Sequence, residues 1–138
     1  MLPGGLLQAS ESDVKDALRE IVGEPFEQKD WGGEQSDLYT SRVKYQGKRI
    51  ATAMLLKRPA IGPVLYPPGL GKRGDQSLRL SGEDAELLIV QFNGEIAPAV
   101  DALLREQGQA CIARCLRTFV CVIDGPDTAR LLRAFGYA

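Results

Sequence analysis

Apolar residues recur along this chain with spacings that separate helices from strands. Positions 14, 17, 18 and 21 are apolar and share one helical face, with Ser10 or Ser12 as the capping residue and Gly23 as the stop. This pattern predicts a first helix. A short strand is expected after it, at 25–29.

The segment 38–57 alternates apolar and polar residues on both sides of Gln46-Gly47, which is typical of a β-hairpin. Pairing odd positions with odd positions collects the apolar side chains on one face. This register requires a three-residue turn, Gln46 to Lys48. It predicts that Asp37 and Lys57 lie opposite each other on one face, at the open end of the hairpin.

Two continuous apolar runs in the second half, ELLIVQF (86–92) and TFVCVID (118–124), predict two buried strands. A proline- and glycine-rich loop (58–73) and a short helix in GDQSLRL (74–80) precede the first of them. A helix or a broken pair of helices is expected between the strands, and a last helix capped by Asp124 follows. Buried strands flanked by helices predict an α/β domain with a central sheet covered on both sides.

Size and composition fit one globular domain. The chain has 138 residues, of which 44% are hydrophobic and 25% charged, so a single domain over 1–138 is expected. Three cysteines without a C-x-x-C pair argue against a disulfide framework or a zinc knuckle, and Cys121 is expected in the core. The apolar runs are too short for a membrane span and the N-terminus lacks a signal-peptide pattern, so we expect a cytoplasmic protein without membrane contact.

The chain contains no histidine. This excludes Ser-His-Asp and Cys-His nucleophilic schemes and histidine acid-base chemistry, and it disfavours most zinc and iron sites. Any chemistry must therefore use carboxylates, lysine, arginine, tyrosine or a hard metal ion with oxygen ligands.

Charge is unevenly distributed although the formal net charge is only -1. Residues 1–37 hold nine acidic and three basic side chains, residues 39–74 hold eight basic and no acidic ones, and residues 75–138 hold nine acidic and six basic ones. A basic stretch of this kind forms either a solvated face or a contact surface for a polyanion, most commonly nucleic acid.

The order helix, short strand, hairpin, helix, strand resembles the αβββαβ core of the PD-(D/E)XK, or restriction-endonuclease-like, nucleases. The resemblance covers residues 11–92, with 93–138 as a helix-strand-helix extension, and it implies a mixed central sheet. In that family an aspartate starts the second core strand and an acid-x-lysine closes the third. SDL supplies Asp37, LLK supplies Lys57, and Gln76 in GDQSLRL matches a glutamine that some members carry on the following helix.

The resemblance implies hydrolysis of phosphodiester bonds in nucleic acid, with DNA as the expected substrate and Mg²⁺ or Mn²⁺ as the cofactor. Asp37, a second carboxylate and the backbone carbonyl of Leu56 would hold the ion, and Lys57 would orient the attacking water, with Gln76 as a further catalytic residue. A domain of this size needs a second copy, as in a homodimer, or a larger defence or repair complex to hold a duplex. Contacts to neighbouring phosphates are expected from Arg42, Lys44, Arg58, Lys72 and Arg73.

Leu55 departs from the family pattern, because it stands two positions before the lysine, where the family has its second acid. Either the carboxylate has moved or catalysis is lost. Glu34 is the first expected replacement, since the glycines before it allow a tight turn toward Asp37. Further alternatives are Glu11, Glu24 and Asp75.

Two functions without catalysis stay open beside the nuclease. One is a degenerate nuclease fold that binds nucleic acid without cutting it, which Leu55 favours. The other is an interaction module whose proline-rich segment 59–68 docks a partner protein. Metal-dependent cleavage separates the first hypothesis from the others, and salt-dependent binding to DNA separates the last two.

Overall fold

The computed structural model describes residues 11–24, 37–57, 62–70, 80, 84–114 and 116–137. The elements in chain order are α1 (Glu11–Val22), β1 (Leu38–Tyr45), β2 (Lys48–Lys57), β3 (Val64–Leu65), a 3₁₀ helix (Pro67–Leu70), β4 (Leu87–Phe92), β5 (Glu95–Ile96), α2 (Pro98–Ala113), β6 (Phe119–Ile123) and α3 (Gly125–Ala134).

The central sheet has four strands in the order β1-β2-β4-β6, and β3 pairs with β5 in a separate small sheet. β1 runs antiparallel to β2, whereas the β2–β4 and β4–β6 pairs are parallel. The expectation of an α/β domain with a mixed central sheet is therefore confirmed. The strand predicted at 25–29 and nearly all of the helix predicted at 74–80 lie outside the described residues.

Helices cover both faces of this sheet. On one face, Leu55 and Val90 pack with Val100 and Leu104 of α2 in a buried apolar cluster. On the opposite face, Leu56 and other strand residues pack against α1, and Leu131 of α3 adjoins the same cluster. Because side chains alternate along a strand, successive residues of β2 pack into two different cores.

The hairpin of β1 and β2 closes with two residues rather than the predicted three, because Tyr45 pairs directly with Lys48. Gln46 and Gly47 both adopt positive φ, 51° and 80°, as a two-residue hairpin turn of the I′ kind requires. The register then shifts between Thr40 and Val43. This β-bulge sets Ser41 and Arg42 opposite a single residue of β2, and beyond it odd positions again pair with odd ones.

Burial corrects the prediction for β6. The strand is paired with β4 alone among the described strands, so it forms an edge of the central sheet. Its residues are only partly buried, and Cys121 is exposed rather than in the core, whereas Cys111 of α2 is buried. An apolar run does not distinguish a central strand from an edge strand covered on its faces.

Two other local predictions, the stop of α1 at Gly23 and the cap of α3 at Asp124, are confirmed. α1 buries Val14, Ala17 and Leu18 and is followed by Gly23 with positive φ. Asp124 caps α3, since its carboxylate accepts the backbone N–H of Asp127 at 3.0 Å. Within the described ranges, no helix is both long enough and apolar enough to cross a membrane.

Candidate functional site

Asp37 lies at the open end of the hairpin, directly before β1. Its backbone N–H donates to the carbonyl of Met54 at 2.9 Å, and its Oδ2 accepts the backbone N–H of Leu56 at 2.8 Å. The carboxylate thus takes the place of a strand carbonyl where β1 begins. A partly buried carboxylate that accepts a backbone N–H has a defined position, because the hydrogen bond is charge-assisted.

Lys57 is the last residue of β2 and is half-buried. In register it pairs with Phe92 of β4, and strand alternation places it on the same face as Ala53 and Leu55. The predicted pairing of Asp37 with Lys57 is wrong by two positions. Asp37 lies one residue beyond the Leu38–Met54 pair, which places it opposite Leu55.

The carbonyl of Leu56 faces the same side of β2 as the Asp37 carboxylate. In a strand, the N–H and C=O of one residue point to the same neighbour, and the Leu56 N–H points to Asp37. The structure therefore brings together one carboxylate and one backbone carbonyl, directly before Lys57. Oxygen donors of these two kinds suit a hard cation such as Mg²⁺.

The position two before Lys57 supplies no second carboxylate. Leu55 is only 7% exposed and belongs to the core on the α2 face, so an acid there would have to be buried among apolar side chains. The described ranges contain no group of three or more Asp, Glu, Cys or His side chains that could hold a metal ion, and Glu24 after α1 is in no such group.

Several predicted site residues cannot be placed. Glu34 and Gln76, the side chain of Glu11, and Asp75 lie outside the described residues. The same holds for three of the predicted phosphate contacts, Arg58, Lys72 and Arg73.

A buried polar network borders the site on the neighbouring strand. Gln91 of β4 is 1% exposed and pairs in register with Leu56. Its amide Nε2 donates to Asn93 Oδ1 at 2.8 Å and to Thr128 Oγ1 at 3.1 Å. The Thr128 hydroxyl donates in turn to the Asp124 carbonyl at 2.6 Å. This network went unpredicted, although a glutamine within an otherwise apolar strand signals a buried polar group that needs partners.

The same edge of the sheet is closed by backbone contact between α3 and the segment that follows β4. The Gly125 N–H donates to the Gly94 carbonyl at 2.8 Å. A Cβ at Gly125 would lie 2.3 Å from the Asn93 carbonyl oxygen, so only glycine fits there. The ends of β2, β4 and β6 therefore meet in a tightly packed edge beside Lys57.

The two described residues predicted to bind phosphates, Arg42 and Lys44, lie at the other end of the hairpin. Lys44 pairs across the strands with Arg49, which is eight residues before Lys57. An extended strand of that length spans about 26 Å. The described basic residues of segment 39–74 therefore lie in two places. Lys57 is at the open end of the hairpin, and the other cations are near its turn.

Comparison with known proteins gives no relationship for this chain: no family model, no curated protein and no solved structure matches it. The inferences below therefore rest on the geometry of the residues themselves.

Proposed function

We propose that this protein is a metal-dependent nuclease that hydrolyses phosphodiester bonds of nucleic acid, with DNA as the substrate, in the manner of the PD-(D/E)XK enzymes it resembles. The supporting observation is the hydrogen bond between the Asp37 carboxylate and the Leu56 backbone. It sets an acid from the start of one strand beside the lysine that ends the next strand.

The two oxygen donors at this point are of the kind that a magnesium ion prefers. Mg²⁺ is commonly bound by one or two carboxylates, with water and substrate phosphate completing its octahedron. Asp37 and the Leu56 carbonyl would provide two protein oxygens, and Glu34 is the proposed second carboxylate. A bound ion would act there as a Lewis acid toward the phosphoryl group and would lower the pKa of the attacking water.

The chain's own residues have separable roles in this proposal. The Leu56 N–H holds the Asp37 carboxylate in one orientation, so that little reorganisation is needed when a cation binds. The Lys57 ammonium is a compact charge on a half-buried side chain, suited to orienting a water and stabilising the charge that develops on the phosphoryl oxygens. The packed edge at Gln91 and Gly125 supports the strand ends that carry these groups.

A second function, nucleic-acid binding without cleavage, is favoured by Leu55. Its burial means that an acid cannot occupy the position two before Lys57 without disturbing the core on the α2 face. Under this alternative the hairpin would bind phosphates, and Asp37 would serve only to close the end of the β1–β2 ladder.

The decisive experiment is a cleavage assay on circular double-stranded and single-stranded DNA with Mg²⁺, Mn²⁺ or EDTA. We expect metal-dependent nicking by the wild-type protein and its loss in Asp37→Asn, which keeps an oxygen to accept the Leu56 N–H. Glu95→Gln is the matched control, because Glu95 is an exposed acid on the small β3–β5 sheet. Full activity of Asp37→Asn would contradict the proposed site.

The alternative is tested by measuring DNA binding as well as cleavage by the wild-type protein under the same conditions. DNA binding without cutting in either metal would replace the nuclease with the binding function. Absence of both binding and cutting would remove nucleic acid from the proposal altogether.

A further inference from the structure

We propose that the tip of the β1–β2 hairpin is a second phosphate-binding surface, formed by Arg42, Lys44 and Arg49, which grips a nucleic-acid backbone independently of metal. We call these three residues the tip triad. The inference rests on the proposed function only in taking nucleic acid as the ligand.

Strand register places the tip triad on one face. Lys44 and Arg49 are direct cross-strand partners, so their Cβ atoms are separated by about 5 Å. Arg42 belongs to the bulge opposite Ala51, and alternation puts Ala51 on the same face as Arg49. All three side chains are exposed.

The arrangement is electrostatically unfavourable without a ligand. Like charges directly opposite each other on an antiparallel pair repel and destabilise the hairpin. Within the described ranges, no carboxylate forms an ion pair with any member of the tip triad, and residues 39–74 contain no acid at all. A phosphate between Lys44 and Arg49 would convert this repulsion into two charge-assisted contacts.

The opposite face of the tip packs against the rest of the protein. Tyr45 contacts Phe119 at the start of β6, with 5.3 Å between ring centroids, and Ile50 is buried. Tyr45 and Ile50 lie on the face away from Lys44 and Arg49, since they alternate with them along their strands. The tip triad is thus presented on a supported element, which reduces the entropy lost on binding.

The spacing of the cations suits the repeated phosphates of a nucleic-acid backbone. Arg42 and Lys44 are two residues apart on one strand, or about 7 Å, and Arg49 lies beside Lys44 across the pair. Long basic side chains spread over this distance can contact successive phosphates of a nucleic acid. Contacts of this kind position a backbone and carry no sequence information.

The test is binding of a fluorescein-labelled DNA duplex of about 20 base pairs, in EDTA, over salt concentrations from about 50 to 200 mM. The triple variant Arg42→Ala, Lys44→Ala, Arg49→Ala should bind about tenfold more weakly or worse at the lowest salt. Its slope of log K against log salt should fall by about two to three units, since each phosphate contact contributes about 0.9.

The charge-matched control is Arg114→Ala, Arg130→Ala, Arg133→Ala, which removes the same charge from exposed positions at the end of α2 and on α3. It should keep the wild-type slope. Equal loss of binding in both triple variants would overturn the proposal, because net charge would then explain the effect. Unchanged binding in the tip variant would overturn it as well.

This experiment is separate from the test of cleavage. Because EDTA removes metal, a protein that never cuts DNA can still show the predicted salt slope, and a protein that cuts can lack it. If the wild-type protein bound vesicles containing phosphatidylserine but not the DNA duplex, the tip would be a membrane contact and the proposal would be wrong.

Discussion

The two ends of the β1–β2 hairpin differ in the sign and the burial of their charged side chains. At the open end, Asp37 is tied by its carboxylate to the backbone of Leu56, and Lys57 is half-buried beside it. At the closed end, Lys44 and Arg49 face each other as exposed like charges. One end thus carries an acid fixed by a backbone hydrogen bond next to a half-buried lysine, whereas the other end gathers exposed charges of one sign.

This contrast separates two requirements of a protein that acts on nucleic acid. Chemistry on a phosphodiester needs groups fixed to within a fraction of an ångström, which burial and backbone hydrogen bonds provide. Holding the backbone needs only positive charge within reach, which exposed and adaptable side chains provide. We therefore expect substitutions at the open end to change rate and substitutions at the closed end to change binding.

The largest expected effect is at Lys57. If its ammonium stabilises charge in the transition state, Lys57→Ala should slow cleavage by a factor on the order of a hundred or more, as the loss of such a group commonly does. DNA binding in EDTA should change much less, since one phosphate contact is worth about one unit of salt slope. Single-turnover cleavage and anisotropy binding measure the two effects separately.

Lys48→Ala is the control for Lys57, because Lys48 is an exposed lysine beside the hairpin turn. It should cleave at nearly the wild-type rate once DNA is bound. A Lys57 variant that lost binding and cleavage in equal proportion would make Lys57 a positioning contact, and the contrast between the two ends would disappear.

The next effect concerns stability at Asp37. Asp37→Ala removes the acceptor of the partly buried Leu56 N–H, so the free energy of unfolding should fall by about 1–3 kcal/mol. Asp37→Asn should lose less, because its amide oxygen still accepts the bond. Urea denaturation followed by circular dichroism measures both variants.

Asp16→Ala is the matched control, since the exposed Asp16 forms a long ion pair, at 3.8 Å, with the half-buried Arg19 on α1. Such pairs contribute about 0–1 kcal/mol. If Asp37→Ala were no more destabilising than Asp16→Ala, the Asp37–Leu56 hydrogen bond would not fix the open end.

Sequence periodicity predicted the helices, the hairpin and the sheet class because these depend on patterns within short segments. It could not predict the bulge at Ser41 and Arg42, which no local pattern marks. The shorter turn and the bulge each shift the register by one residue in the same direction, so beyond the bulge odd positions still pair with odd ones, but Tyr39 pairs with Ala53 and Asp37 is displaced from Lys57 by two positions. Beyond the bulge, the prediction that odd positions pair with odd positions is therefore correct, but the predicted cross-strand partners are wrong.

The candidate site was predictable to the extent that its residues end strands. Asp37 and Lys57 flank the hairpin, so pairing alone brings them to one end. The exposure of Cys121 depends instead on the position of β6 at the sheet edge, and the Gln91–Thr128 bond joins residues 37 positions apart in different elements. Such features follow from tertiary packing, which no window of the sequence contains.

The smallest expected effect, at Lys44, separates stability from binding most clearly. Lys44→Glu would replace a repulsive cross-strand pair by an attractive one with Arg49, so the free energy of unfolding should rise by about 0.5 kcal/mol. For a chain of this size that corresponds to a melting temperature higher by roughly 1–3 °C. DNA binding should weaken at the same time, because the new carboxylate repels phosphate.

Lys44→Gln should fall between the wild type and Lys44→Glu in both measurements. A structural role for Lys44 predicts that stability and binding fall together, whereas a phosphate contact predicts opposite changes. A Lys44→Glu protein that melted lower than the wild type, or bound DNA equally well, would show that the closed end is an ordinary solvated turn.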